Sequence, residues 1–480
     1  MKKTRIVISG FVFLLCCAYH PDRSITPETS RRHITILYTN DEHGWMEPEE
    51  KEGGAAGLLG LWHENEHYSE DGPFLVLSGG DLWSGPAIST WFQGESMVAV
   101  MNAMGYDAVA IGNHEFDFKV EGLKERISQS HFPFLSANIR NKNTNAVPPF
   151  ALPYIIHPVN GVNVGIIGLT TTTTPTSTFP DNVADYDFIP YAEALQAVVP
   201  QVKSDGAELL IVVGHICESE MEAIVPIASQ LGISIITGGH CHELVNDRIQ
   251  NVTLMEAGSR MKYYGRSDIL FDTARDTIIT IETSLCKNQN GSPDSSIQAI
   301  VSYWKARTDA ELSHVIGYAS EKIERSSAAL ANMVTDSWLL SFPQADVSLT
   351  NTGGIRQSIP QGEISLATLV GVLPFENRLV ELEFTGSQLI RSMDNLLVGG
   401  MILRGGYRLS DGSPIHPDSL YRILTTDYLY SRPDFDFQKY DPHPYDTSVH
   451  YRQPVMDWIK SLNTSPDNPL NHYLDKTPRK

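Results

Sequence analysis

Three features of the sequence predict an α/β chain of two domains. Its 480 residues exceed what one hydrophobic core ordinarily organises. From residue 34 to about 290, short β-type apolar runs alternate with helix-like segments, the order of a layered α/β domain. Residues 288–296, rich in Asn, Gly, Ser and Pro, form the clearest break, and a second α/β unit follows from about residue 315.

The amino terminus reads as an export signal over residues 1–16: Lys2, Lys3 and Arg5 precede an apolar stretch at 6–15 that is too short for a lasting membrane span. Leu14-Leu15-Cys16-Cys17 resembles a loose bacterial lipoprotein box with Cys17 as the lipidated residue; plain secretory cleavage is the alternative. Both predict an exported protein of the periplasm or cell surface, touching a membrane only through a lipid on Cys17. Residues 17–33, with Pro21 and Pro27, read as a tether. Removing the signal takes the net charge from −21 to about −24, which argues against polymeric nucleic acid as a partner. A small phosphorylated ligand held by metal ions is compatible with that charge. Cys217, Cys241 and Cys286 remain, an odd number, and no disulfide is predicted, although the first two lie beside candidate metal ligands.

In the first domain (34–290), strands are expected at 34–39, 74–78, 108–111, 132–136, 162–169, 209–213, 233–237 and 252–256. Helices are expected at 58–68, 96–104, 120–130, 192–203 and 218–230. Asn160-Gly161 marks a hairpin turn. The threonine run 170–174 before Pro175 reads as a surface loop. A linker helix (291–314) leads to the second domain (315–480) and is the expected hinge.

Five strand ends carry polar groups, where open α/β sheets keep their ligands. They are Asp41-x-His43, with both side chains on one side if the chain stays extended; Gly80-Asp81; Gly112-Asn113-His114; Gly214-His215; and Gly239-His240-Cys241-His242. The inventory matches two divalent cations: Asp41, His43 and His242 on one, Asn113, His215 and His240 on the other, and Asp81 bridging. Such mixed ligands suit Zn²⁺, Mn²⁺, Fe or Co²⁺ better than Ca²⁺, with Mg²⁺ also open. His114 can face a substrate, and Asp117, three residues on, can hold its tautomer.

Taken together, Asp-x-His, Gly-Asp-x-x-x-Gly, Gly-Asn-His-Glu, Gly-His and Gly-His-x-His over residues 39–242 are similar to the calcineurin-like metallophosphoesterases, in wording the 5′-nucleotidase branch. The resemblance implies a four-layer α/β/β/α sandwich with metals at the strand ends. It also implies in-line attack on phosphorus by a metal-bridging hydroxide, with charge met by the metals and His114.

In the second domain, Asn351-Thr352-Gly353-Gly354-Ile355-Arg356 resembles the family's Asn-x-Gly-Gly-x-Arg stretch, and Leu373-Pro374-Phe375 follows at a family-like interval. The resemblance implies nucleotide contacts from Asn351, Gly354 and Arg356, and one face of an aromatic base clamp from Phe375. Where the family has Gly-Gly-Asp-Gly-aromatic, this chain reads Arg432-Pro433-Asp434-Phe435-Asp436-Phe437; Phe435 or Phe437 is the second face, Phe437 by position. Asp441 is a candidate ribose contact and Arg325 a further candidate ligand. The expected activity is hydrolysis of nucleoside 5′-monophosphates. Open alternatives are a UDP-sugar or 2′,3′-cyclic nucleotide hydrolase, a sulfur-oxidation hydrolase, or a catalytically silent surface binding protein. Oligomeric state is not readable from the sequence.

Overall fold

A computed structural model describes residues 30–403 and 406–479. The predicted signal, Cys17 and residues 18–29 of the tether lie outside the described residues.

Two six-stranded sheets build the first domain. One runs, edge to edge, Thr277–Lys287, Tyr263–Asp272, Arg31–Thr39, Phe74–Ser78, Ala108–Ala110, Phe134–Leu135. The other runs Leu244–Ile249, Val252–Ala257, Ile235–Thr237, Leu209–His215, Val162–Thr170, Tyr154–Val159. The two-residue period of a strand decides the layering. Ile34, Ile36 and Tyr38 pack with Ile211, Val213 and Ile235 between the sheets. Their neighbour Leu37 faces outward onto Trp62, Met97 and Met101 of one helical layer. Leu210 and Val212 face Leu195, Val199 and Met221 of the other. Both sheets are therefore buried on both faces, the four-layer arrangement α/β/β/α. Among the described residues no helix is long and apolar enough to cross a membrane.

Asn160 and Gly161, at φ 49° and 79°, close the hairpin between Tyr154–Val159 and Val162–Thr170, as expected of an Asn-Gly turn. Other expectations need correction. The first strand begins at Arg31, so residues 31–33 belong to the sheet rather than the tether. The edge pair Tyr263–Asp272 and Thr277–Lys287 escaped the periodicity reading because its outer strand is half-solvated and mixes charged with apolar residues. The expected linker helix is Ser295–Leu312, capped by the Asp294 carboxylate, which accepts from the Ser296 and Ile297 amides. It is not a free hinge: Ile297, Val301 and Trp304 pack into the first domain's helical layer. Its end, Leu312, meets Ala87 and Val370 where the two domains touch.

The second domain has a five-stranded sheet in the order Leu396–Gly399, Val347–Asn351, Leu420–Thr426, Arg378–Thr385, Tyr445–His450. Trp338 and Val334 of the helix Ala328–Ser341 cover one face, while Leu389, Leu429 and Phe437 fill the other. Asn351 ends a strand pointing at the first domain, which brings the 351–356 loop to the five polar strand ends.

Candidate active site

All five polar stations meet at the carboxyl ends of parallel strands, three from one sheet and two from the other. Five of the candidate ligands have left-handed backbones: Asp41 (φ 50°), His43 (46°), Asp81 (58°), His240 (75°) and His242 (59°). That corrects the extended conformation expected at Asp41 and His43. Such geometry is costly for residues with a β-carbon and concentrates where side-chain placement outweighs backbone comfort.

In the first ligand set, Asp41 Oδ2 accepts from the His240 amide (2.9 Å) and Asn40 Nδ2 (2.7 Å). Oδ1 is buried and receives no hydrogen bond. It faces His242 Nε2 at 3.2 Å and His43 Nε2 at 3.7 Å, and the two imidazole nitrogens lie 3.1 Å apart. In the second set, His215 Nδ1 donates to the Gly79 carbonyl (2.8 Å), which leaves Nε2 facing Asp81 Oδ2 (3.1 Å) and Asn113 Oδ1 (3.2 Å). Asn113 Nδ2 donates to the Ser177 carbonyl and so keeps Oδ1 turned inward. Asp81 stands between the sets, its Oδ2 4.0 Å from His43 Nε2 and its Oδ1 accepting the His114 amide. His240 completes a group with Asp81 and His215.

An unpartnered carboxylate oxygen and lone pairs aimed at lone pairs call for positive charge. Burial opposes charge on the His215 imidazole, but Asp81 and Asp41 outweigh it and push its pKa up to about 10. His240 goes the other way, to about 4, through burial and the neighbouring His215. The donors fit two divalent cations, each with imidazole and oxygen ligands.

His114 Nδ1 lies 2.7 Å from Asp117 Oδ2, and Thr178 Oγ1 donates to Asp117 Oδ1 at 3.0 Å. Burial lowers the His114 pKa, but Asp117 and Asp81 outweigh it and the net shift is upward. The run 170–174, expected as a surface loop, is mostly interior beside this site: Thr170, Thr171 and Thr174 are inaccessible, and Thr173 is the exposed member. Its hydroxyls are consumed locally, as in Thr170 Oγ1 to the Ile111 carbonyl (2.6 Å), which is why a polar run can be interior. Two buried carboxylates had no assigned role. Glu115 accepts from the amides of Gly112 (2.6 Å), Asp81 (2.8 Å) and Leu82 (2.8 Å), tying two ligand loops together. Glu42 accepts from the hydroxyls of Thr39 and Ser78. Their signal was present as the acids within Gly-Asn-His-Glu and Asn-Asp-Glu-His.

These groups open onto a cleft of about 580 Å³ between the domains. From the second domain Asn351, Gly354, Arg356 and Phe375 line it. Arg356 Nη2 is 3.1 Å from His43 Nε2, and the Phe375 ring stacks on His114 with centroids 5.7 Å apart at 17°. Three expectations fail. Phe437 is fully buried in the second domain's core against Phe384, because its ring faces the sheet rather than the cleft. Phe435 packs beside it. Asp441 lies at a sheet edge, accepting from the amides of Glu383 and His443. Arg325 is behind the wall: its Nε donates to the Ile355 carbonyl at 2.6 Å, bracing the loop that carries Arg356. Besides Phe375, the aromatic ring that the second domain brings to the cleft is Tyr428, whose hydroxyl donates to the Thr176 carbonyl, with Arg432 beside it. No motif flagged Tyr428, since it precedes the altered loop.

Cys217 and Cys241 form a disulfide, correcting the expectation of none. Their separation of 24 residues is spanned by the strand and helix that bring both ligand loops to the same sheet edge. Cys286 is free.

Residues 34–244 match the calcineurin-like phosphoesterase family and residues 307–408 the 5′-nucleotidase C-terminal domain family. Human 5′-nucleotidase is 26% identical, over 84% of this chain and 84% of that protein. Cell wall protein Lmo0130 of Listeria monocytogenes is 24% identical over 84% of this chain, which spans 63% of that longer protein. The crystal structure of a 5′-nucleotidase precursor from Thermus thermophilus superposes with a TM-score of 0.78 at 23% identity, covering 90% of this chain and 97% of that one.

Proposed function

Because the chain belongs to the 5′-nucleotidase family, a calcineurin-like metallophosphoesterase domain followed by a 5′-nucleotidase C-terminal domain, we propose that it removes phosphate from nucleoside 5′-monophosphates with two divalent metal ions. The observation that carries this reading is a shared cleft: His43 and His242 of one histidine–carboxylate set, Asp81 and His240 of the other, His114 with Asp117, and the Arg356 and Phe375 side chains all line it.

Asp41, His43 and His242 would hold one ion and Asn113, His215 and His240 the other, with Asp81 between them; Zn²⁺, Mn²⁺, Co²⁺, Fe or Mg²⁺ fits the donors. When bound, such ions polarise phosphoryl oxygens and make water acidic enough to serve as a nucleophile near neutral pH. The chain's own residues do the rest. Asp117 accepts a hydrogen bond from His114 Nδ1–H and, with Asp81, favours the doubly protonated imidazolium, whose Nε2–H can then neutralise charge growing on the phosphoryl or leaving oxygen. Arg356 adds a fixed positive charge beside His43. Phe375, with one face against His114, offers the other to a base, and stacking of this kind is tolerant of base identity. The products are nucleoside and phosphate.

A product-release panel tests this: chelated protein is restored separately with Mn²⁺, Zn²⁺, Mg²⁺ and Co²⁺ and given AMP, UDP-glucose, 2′,3′-cyclic AMP and thiosulfate conjugates, with inorganic phosphate, nucleotide, sugar phosphate and sulfate each quantified. AMP is expected to be the best substrate. Preference for UDP-glucose or the cyclic nucleotide would change the substrate but keep the hydrolysis. Turnover of thiosulfate conjugates alone would place the chain with sulfur-oxidation hydrolases, and no metal-dependent release would leave a binding protein.

Export to the periplasm or cell surface is part of this reading. It is supported by the disulfide, since such bonds persist in oxidising compartments. Lipid on Cys17 predicts fatty-acid label on the wild type that Cys17→Ser abolishes; unlabelled wild type refutes it.

A further inference from the structure

The loop Gly239–Glu243 supplies one imidazole to each ligand set, His242 to that of Asp41 and His43, and His240 to that of Asp81 and His215. Both histidines have left-handed backbones, and the residue between them is Cys241. Its disulfide partner, Cys217, lies two residues beyond His215, at the start of the helix Glu218–Leu231. One bond, with Cα atoms 5.2 Å apart, thus links the two loops carrying His215, His240 and His242.

Other ties on the loop are single hydrogen bonds, among them the Gly239 amide to the Ile216 carbonyl (2.9 Å) and the Glu218 amide to the Glu243 carboxylate (3.1 Å). The His240 amide donates to Asp41, itself a candidate ligand, and Glu243 is held through its amide by the Glu256 carboxyl. The disulfide is anchored outside the ligand set, on a helix. A loop with two left-handed histidines tends to relax toward right-handed or extended backbone. Relaxation would swing both imidazoles away from their partners together. Cys241 is exposed and Cys217 half-buried, so a reductant can reach the bond.

We propose that the Cys217–Cys241 disulfide is a positioning crosslink for the metal ligands, making retention of both ions depend on its oxidised state. This rests on the two-metal reading above.

The test measures metal affinity rather than turnover. Full-length metal-free protein is titrated with Zn²⁺ or Mn²⁺ against a chromogenic chelator, comparing wild type, Cys217→Ser/Cys241→Ser and Cys286→Ser. The double variant is expected to bind at least one ion about 10–100-fold more weakly, the range seen when groups supporting metal ligands are removed. Cys286→Ser is expected to match wild type. Were the crosslink only to stiffen the fold, its removal would lower the melting temperature of the metal-free protein and leave affinity unchanged, which overturns the proposal. If the double variant does not fold, folded metal-free wild type is treated with a water-soluble phosphine and the thiols are capped. There the S–S bond breaks, each sulfur ends as a thiol, and the phosphine becomes its oxide with oxygen from water. Unchanged affinity in that arm is equally decisive against the crosslink. Wild type that binds two ions while the uncrosslinked protein binds them as tightly defeats this inference alone; wild type that binds none defeats the two-metal reading as well.

Discussion

Glu115 carries a heavier structural load than its place in a catalytic motif suggests. Its carboxylate is completely buried and accepts from three backbone amides, those of Gly112, Asp81 and Leu82. Glu115→Ala leaves three buried N–H groups without partners, at about 1–3 kcal/mol each. The sum, about 3–9 kcal/mol, is a large part of the roughly 5–15 kcal/mol that holds a domain folded. Glu115→Gln is milder: its oxygen can keep the Gly112 and Asp81 amides while its NH₂ meets the Leu82 amide donor to donor, a loss of about 1–3 kcal/mol. Urea unfolding of metal-free protein reads both, as a fall in midpoint at constant m value. Metal analysis of whatever folds should show loss of ions, because Asp81 is held in its left-handed backbone by this carboxylate. An alanine variant destabilised by less than about 1 kcal/mol, with two ions still bound, would refute the reasoning.

Three further outcomes are expected. His114→Asn should lower turnover about 10²–10⁴-fold while both ions stay bound, checked by kcat and metal analysis together; near-normal turnover removes His114 from the chemistry. Phe375 and Phe437 should separate cleanly: Phe375→Ala raises KM for AMP by an amount matching about 1–3 kcal/mol of lost stacking, whereas Phe437→Ala costs about 3–5 kcal/mol of stability and leaves the KM of folded protein unchanged. Glu256, fully buried, has its pKa pushed up to about 9 from 4.5 by burial and then by Asp41. Its folded pKa is above its unfolded one, so its contribution is intact below pH 4.5 and is lost as pH rises toward 9. Metal-free Glu256→Gln should therefore lose less stability than wild type between those limits in denaturation series; parallel curves would count against it.

Much of the first domain was legible in the chain because its cause is local. Runs such as residues 209–213 are apolar throughout, which marks a strand buried on both faces, and the abrupt turn to Gly, Asp, Asn and His marks the strand end where a site can form. The half-solvated edge strand Thr277–Lys287 lacks that signature and was invisible to periodicity.

What only the tertiary structure decided depends on partners distant in sequence. The sequence alone determined the layered α/β class and the polar stations at the strand ends, because composition and period act over a few residues. Whether Phe437 or Tyr428 faces the cleft, whether a threonine run is interior, and whether Cys217 reaches Cys241 depend instead on which surfaces the packed sheets present to one another. No window of neighbouring residues contains that information: the contact between Arg356 and His43 crosses 313 positions and exists only once the two domains have docked.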